Sequence, residues 1–152
     1  MTLSLAIWIP IIAGIGTLML GQYHDLSNDR TYIRRLALVG AVLGFLVTLP
    51  LFFSFDAAKA GVQFVERAPW IPTYNIEYYL GVDGISVWFI LLNAFTTVLV
   101  VWAGWEVIES KPAQYYGAFL IMSGLINGAF AAMDGILFYV FFEAMLIPMY
   151  LI

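Results

Sequence analysis

The chain has no cysteine and one histidine, and only 11% of its 152 residues are charged. Without cysteine there is no disulfide framework, thiolate metal site or cysteine nucleophile. One histidine does not build a His-based metal cluster, and a Ser-His-Asp triad within one copy is disfavoured for the same reason. The charged share is less than half the roughly 25% of an ordinary soluble domain. Six Lys+Arg and ten Asp+Glu leave a net charge of −4, so the basic surface that nucleic acid requires is missing. These shortages exclude a soluble enzyme, a disordered tail and a nucleic-acid binder.

What is present in excess is apolar: 63% of residues are hydrophobic and 17% are aromatic. A bilayer-crossing helix needs about 20 mostly apolar residues, because the hydrocarbon is about 30 Å thick and a helix rises about 1.5 Å per residue. Five runs approach that length, at residues 3–20, 36–55, 85–105, 115–133 and 135–152. They predict a single all-α integral membrane domain over residues 1–152 with five transmembrane helices, embedded in the lipid bilayer. The first run has no Lys or Arg before it and no A-x-A-type cleavage site after it, so it reads as a retained span rather than a signal peptide. Trp88 lies near one end of the third run, and Trp102 and Trp105 near the other, where indole rings favour the headgroup boundary. The last run stops on Tyr150-Leu151-Ile152 with no polar anchor, which reads as the front part of a longer protein.

The loop after the first run carries His24, Arg30, Arg34 and Arg35, and the loop after the third carries Lys111. The loop after the second holds Lys59 and Arg67 among four acids. That bias places the first and third loops in the cytoplasm and the N-terminus outside. In the long second loop, Gln63–Glu66 and Tyr74–Leu80 partly alternate around Pro69 and Pro72, so a short hairpin is expected there, although proline removes ladder donors. Asp83 and Asp134, each followed by glycine, are predicted to cap the third and fifth helices. Gly40-x-x-x-Gly44 and Gly124-x-x-x-Gly128 predict close helix packing rather than chemistry.

Of sixteen charged residues, one lies deep in an apolar run: Glu143. It is eight residues past Gly135, about 12 Å along a helix and near mid-bilayer. Ionisable groups at that depth are costly and default to function. Burial favours the neutral acid, and a nearby cation would favour the carboxylate. A carboxyl balanced between the two suits a proton relay. Pro148 has no N–H, so the carbonyl of Ala144 loses its helical partner and the helix should kink beside Glu143, forming a hydrated pocket. The plainer alternative is a permanently protonated Glu143 that bonds a neighbouring helix. Asn93, Thr96, Thr97, Ser123 and Asn127 are the other deep polar groups and read as interhelical glue. Glu106 and Glu109, at the cytoplasmic boundary, could feed protons to a channel mouth, and His24 reads as a solvated loop residue.

The stretch DGILFYVFFEAMLIPMYLI, residues 134–152, closely resembles the fifth transmembrane helix of the M subunits of bacterial NADH-quinone oxidoreductase (respiratory complex I). Leu80-Gly81-Val82-Asp83-Gly84-Ile85-Ser86 resembles that family's signature ahead of its third helix. The resemblance implies the N-terminal part of an antiporter-like fold of about fourteen helices, with two inverted five-helix repeats behind a few leading helices. It implies a proton-translocating subunit of the bacterial inner membrane whose partners are other membrane subunits of complex I. It maps the family's essential glutamate onto Glu143 and the following proline onto Pro148, with a lysine on a later helix as the glutamate's partner. Phe142 stands where many relatives carry Trp. No cofactor is implied on this chain; FMN, iron–sulfur clusters, NADH and quinone are expected on partner subunits. A subunit of a multi-subunit sodium/proton antiporter or a membrane-bound hydrogenase, and a fragment whose helices only pack, stay open as alternatives.

Overall fold

Apolar residues on every side of a helix let it pack against neighbours and lipid at once. The helices of this chain are built that way. The computed structural model describes residues 2–24, 30–53, 63–74, 76–107 and 112–151, without the side chains of 2, 20–24, 30–34, 63, 71, 105–107, 112–113 and 151. The expectations for His24, Arg30, Arg34, Lys59, Glu106, Glu109 and Lys111 therefore lie outside the described residues or side chains.

The elements are α1 (Thr2–His24), α2 (Arg30–Phe53), β1 (Gln63–Ile71), β2 (Ile76–Val82), α3 (Ser86–Val107), α4 (Pro112–Ala131), α5 (Gly135–Ala144) and α6 (Leu146–Leu151). The expected fifth run is thus two helices divided at Met145, and the all-helical class needs one correction, a two-stranded sheet. Arg35–Phe53 and Ser86–Gly104 are long and apolar enough to cross a membrane, whereas Leu3–Met19 and Gly135–Tyr150 are shorter apolar helices.

The axis of the bundle is α4, which touches α1, α2, α3, α5, α6 and β2. Its small residues explain this position. A Cβ on Gly124 would collide with the Ile7 carbonyl oxygen of α1, and one on Gly128 would meet the Phe141 ring of α5 at 2.8 Å. Backbones can approach that closely only where no side chain intervenes. Gly40 and Gly44 of α2 likewise lie against Ala13 and Pro10 of α1. Both glycine motifs therefore sit at helix contacts. Around this axis Leu3, Ile7, Ile11, Leu51, Val87, Ile90, Leu137 and Phe141 form one buried cluster.

The hairpin forms, with β1 running on to Ile71 and β2 shifted two residues towards the C-terminus from the alternating stretch Tyr74–Leu80. β1 and β2 are antiparallel, with Glu66 opposite Leu80 and Pro69 opposite Glu77, closed by a 3-10 turn at Pro72–Tyr74. Phe64 has φ 58°, left-handed backbone at the register slip between Gln63 and Glu66. Such a bulge turns its ring onto the buried cluster, where it packs. Arg67 pairs with Glu77 and lies 4.8 Å over the Tyr79 ring, on the exposed face.

The hairpin docks at one end of the bundle. The Glu66 carboxylate accepts the Ser4 N–H of α1 at 2.8 Å, and the Tyr78 hydroxyl accepts from Trp8 Nε1 at 3.0 Å. On the far edge of β2, Leu80 bridges Ala132, and the Met133 N–H donates to the Tyr79 carbonyl at 2.8 Å. This pairing explains why α4 ends at Ala131 rather than at the expected Met133: the next two residues are drawn into the sheet edge.

Gly124→Ala should separate α1 from α4 and cost about 1–3 kcal/mol, the usual penalty of overpacking. Gly16→Ala, where an added Cβ meets nothing within 4 Å, should be neutral or slightly stabilising. Thermal unfolding of the two variants in detergent or lipid checks the contrast.

Candidate functional site

Glu143 lies on α5, whose orientation two contacts determine. Asp134 is its N-cap, with φ −105° and ψ 133°, and its carboxylate accepts from the N–H groups of Ile136 and Leu137. Further along, Phe141 fills the notch at Gly128. Residues advance about 100° around a helix, so Leu137, Phe141 and Pro148 share the inward face, and all three are buried. Glu143, two residues past Phe141, is turned about 200° away and is exposed. Its surroundings on that outer face are apolar: Tyr139, Phe142, Leu146, Ile147 and Tyr150 are also exposed.

The helix is interrupted where Pro148 leaves a carbonyl without its N–H partner. Ala144 is the last residue of α5, and Leu146 opens α6. Helical bonds continue on both sides, from the Met145 N–H to Phe141 O at 3.2 Å and from the Met149 N–H to Met145 O at 3.3 Å. The pocket expected around Glu143 and Pro148 needs correction. Five residues of helix separate them by about 140°, so Glu143 faces out while Pro148 faces the bundle.

The other deep polar residues gather at the junction of α1, α3 and α4. Asn93 Nδ2 donates to the Ser123 carbonyl and to Asn127 Oδ1, each at 2.9 Å. Thr97 Oγ1 lies 2.8 Å from both the Asn93 carbonyl oxygen and Ser123 Oγ. Asn127 Nδ2 donates to the carbonyl of Ala6 at 3.1 Å. That carbonyl is four residues before Pro10, so the proline has removed its helical donor and Asn127 of α4 replaces it. Pro10 is a position the sequence reasoning passed over; a proline in mid-run is the signal that an amide elsewhere must answer it. Thr96 is exposed and outside the cluster. Thr97 and Ser123 border a crevice against Pro10 that is too narrow to seat a water molecule. The cluster holds no titratable group, so it acts as interhelical glue. Among the described residues no three His, Cys, Asp or Glu side chains gather to hold a metal.

Two carboxylates outside the apolar runs are held below the ordinary aspartate value. Asp83 accepts from the N–H groups of Ser86 and Ile85, and Asp134 from that of Glu77 and then from Ile136 and Leu137. A lowered folded-state pKa stabilises fully above the unfolded value of about 3.9 and is lost as pH falls through the folded value. The hairpin end should therefore be insensitive to pH from neutral down to the ordinary carboxylate range and loosen below it. Hydrogen exchange at Glu77, Ile85 and Ser86, corrected for intrinsic rates, checks this; Asp134→Asn should abolish the acid step at Glu77. Separately, Asn127→Leu should cost about 1–2 kcal/mol by leaving the Ala6 carbonyl unmet, read as a lowered unfolding midpoint.

Residues 11–131 match the family described as NADH-ubiquinone oxidoreductase chain 4, amino terminus. NADH-quinone oxidoreductase subunit M of Rickettsia typhi is 34% identical over 151 residues, covering 99% of this chain and 31% of that protein. The subunit M of Rhodobacter capsulatus is 41% identical over 150 residues, covering 99% and 28%. A chain in the structure of respiratory complex I from Thermus thermophilus with bound NADH superposes with a TM-score of 0.75 at 35% identity, covering 96% of this chain and 27% of that one. The chain thus spans less than a third of the length of these relatives. The match over residues 11–131, together with these identities, shows that the chain belongs to the family of NADH-ubiquinone oxidoreductase chain 4 and NADH-quinone oxidoreductase subunit M.

Proposed function

We propose that the chain is the leading part of an antiporter-like, proton-translocating membrane subunit of NADH-quinone oxidoreductase, and that Glu143 is its protonatable group. The observation that carries this reading is the position of Glu143: a carboxyl on the outward face of α5, among exposed apolar side chains, next to a helix break. An ionisable group in such surroundings is costly, and costly intramembrane charges mark ion pathways. The resemblance supplies a cation for it on a later helix of the whole subunit. Approach of that cation would favour the carboxylate, and withdrawal would favour the acid. The break at Met145 divides α6 from α5, which Phe141 seats against Gly128. Moving one charge through about 100 mV takes about 2.3 kcal/mol, so the proton affinity must swing by at least that order in each cycle.

In this reading residues 1–152 form one membrane domain with five spans, α5 and α6 together making the fifth. The hairpin lies on the outer side of the bacterial inner membrane, and Trp88 and Trp102, both exposed on α3, mark its two boundaries. Redox chemistry belongs to the flavin, iron–sulfur and quinone-binding partner subunits. The contribution of this chain is a proton site placed against neighbouring antiporter-like subunits.

Replacing Glu143 by Gln in the full-length subunit removes the titration and keeps the shape. The complex is expected to assemble and proton pumping per NADH oxidised to be abolished, measured in vesicles with a pH-sensitive dye. Normal pumping by the variant would overturn the proposal.

A further inference from the structure

The helix that carries Glu143 is tied to the hairpin by one side chain with two separate tasks. One carboxylate oxygen of Asp134, Oδ1, accepts from the N–H groups of Ile136 at 2.9 Å and Leu137 at 3.4 Å, closing the first turn of α5. The other, Oδ2, accepts the backbone N–H of Glu77 in β2 at 3.0 Å. The backbone beside it repeats the link, through Met133 on Tyr79 and Ala132 opposite Leu80. The connection between α4 and α5 is therefore bonded to the free edge of β2. The same hairpin grips the start of α1 through Glu66 and Tyr78.

Glu143 sits about 13 Å along α5 from Asp134. Beyond it the helix breaks at Met145, and α6 rests on α4 through the buried Pro148. On the near side, α5 is held by the Asp134 clamp and by Leu137 and Phe141, which are buried in the core cluster. Phe141 on Gly128 is an apolar contact and carries no directional bond. Hydrogen bonds at the clamp fix height and rotation.

We propose that Asp134 is a positioning residue for Glu143: by joining the first turn of α5 to the β2 edge, it sets the height and rotation at which the Glu143 carboxyl meets its proton partners. The proposal rests on the reading of Glu143 as a proton carrier. Proton transfer requires hydrogen-bond reach, and misplacement by about 1 Å can cost on the order of 100-fold in rate. The three N–H groups around Asp134 also keep it ionised, so it serves as a fixed acceptor and not as a carrier.

Asp134→Asn separates the two tasks. An amide keeps one oxygen for the cap but sets its NH2 group against the Glu77 N–H, donor to donor. Glu77→Pro deletes the same hydrogen bond from the hairpin side. Each variant is made in the full-length subunit of the assembled complex in vesicles, and two quantities are read: protons pumped per NADH oxidised, and the midpoint at which the Glu143 carboxyl titrates by infrared difference spectroscopy. Both variants are expected to lower pumping several-fold and to shift the Glu143 midpoint. An unchanged midpoint in either, whether or not pumping falls, would overturn the positioning role. Failure of the underlying reading looks different: Glu143→Gln would then pump normally.

Discussion

Inside a bilayer, a backbone carbonyl that loses its helical partner has no water to replace it. Pro10 creates such a carbonyl at Ala6, in the second turn of α1, and Asn127 of α4 meets it. The rest of the bundle is arranged around that repair. For Asn127 to reach Ala6, the backbones of α1 and α4 must nearly touch, and Gly124 permits the approach at Ile7. Asn127 is in turn oriented by Asn93, which ties α3 to the same point. Once α4 is fixed as the axis, Gly128 offers the notch for Phe141, and the end of α4 is placed to join the edge of β2.

Two of the chain's prolines, Pro10 and Pro148, act in contrasting ways. At Pro10 the freed carbonyl is answered within the bundle, and the local result is rigidity. At Pro148 the helix divides instead, at the outer layer, within two residues of the carboxyl that faces away from the bundle. α1 to α4 and the hairpin interlock through these contacts, while Glu143 lies on the outward face of α5, among exposed apolar side chains.

Much of this was legible in the residues. Apolar runs located the bodies of the helices, because hydropathy marks them, but missed the first six residues of α2 and the last four of α1, where polar residues extend the helix beyond the apolar run. Asp83 and Asp134 announced their capping roles through the glycines that follow them, and both accept the expected backbone N–H groups. The glycine motifs announced contacts but not partners. The direction in which Glu143 points was not legible: residues 136–150 are apolar on every side apart from Glu143, so no stripe marks the inward face, and the Asp134 cap and Phe141 seated on Gly128 decide it. The partner of the Ala6 carbonyl that Pro10 frees was hidden by 121 residues of separation. The left-handed Phe64 and the sheet pairing of Ala132 and Met133 depend on tertiary docking that local propensity does not encode.

The most direct measurement is a time-resolved infrared difference spectrum of the intact oxidoreductase complex during NADH oxidation, with isotope-labelled glutamate in the full-length subunit. The result expected is a protonated-carboxyl band that rises and falls with turnover and vanishes when Glu143 is replaced by Gln. A Glu143 carboxyl that stays in one protonation state through every cycle, in a complex that pumps, would contradict the account.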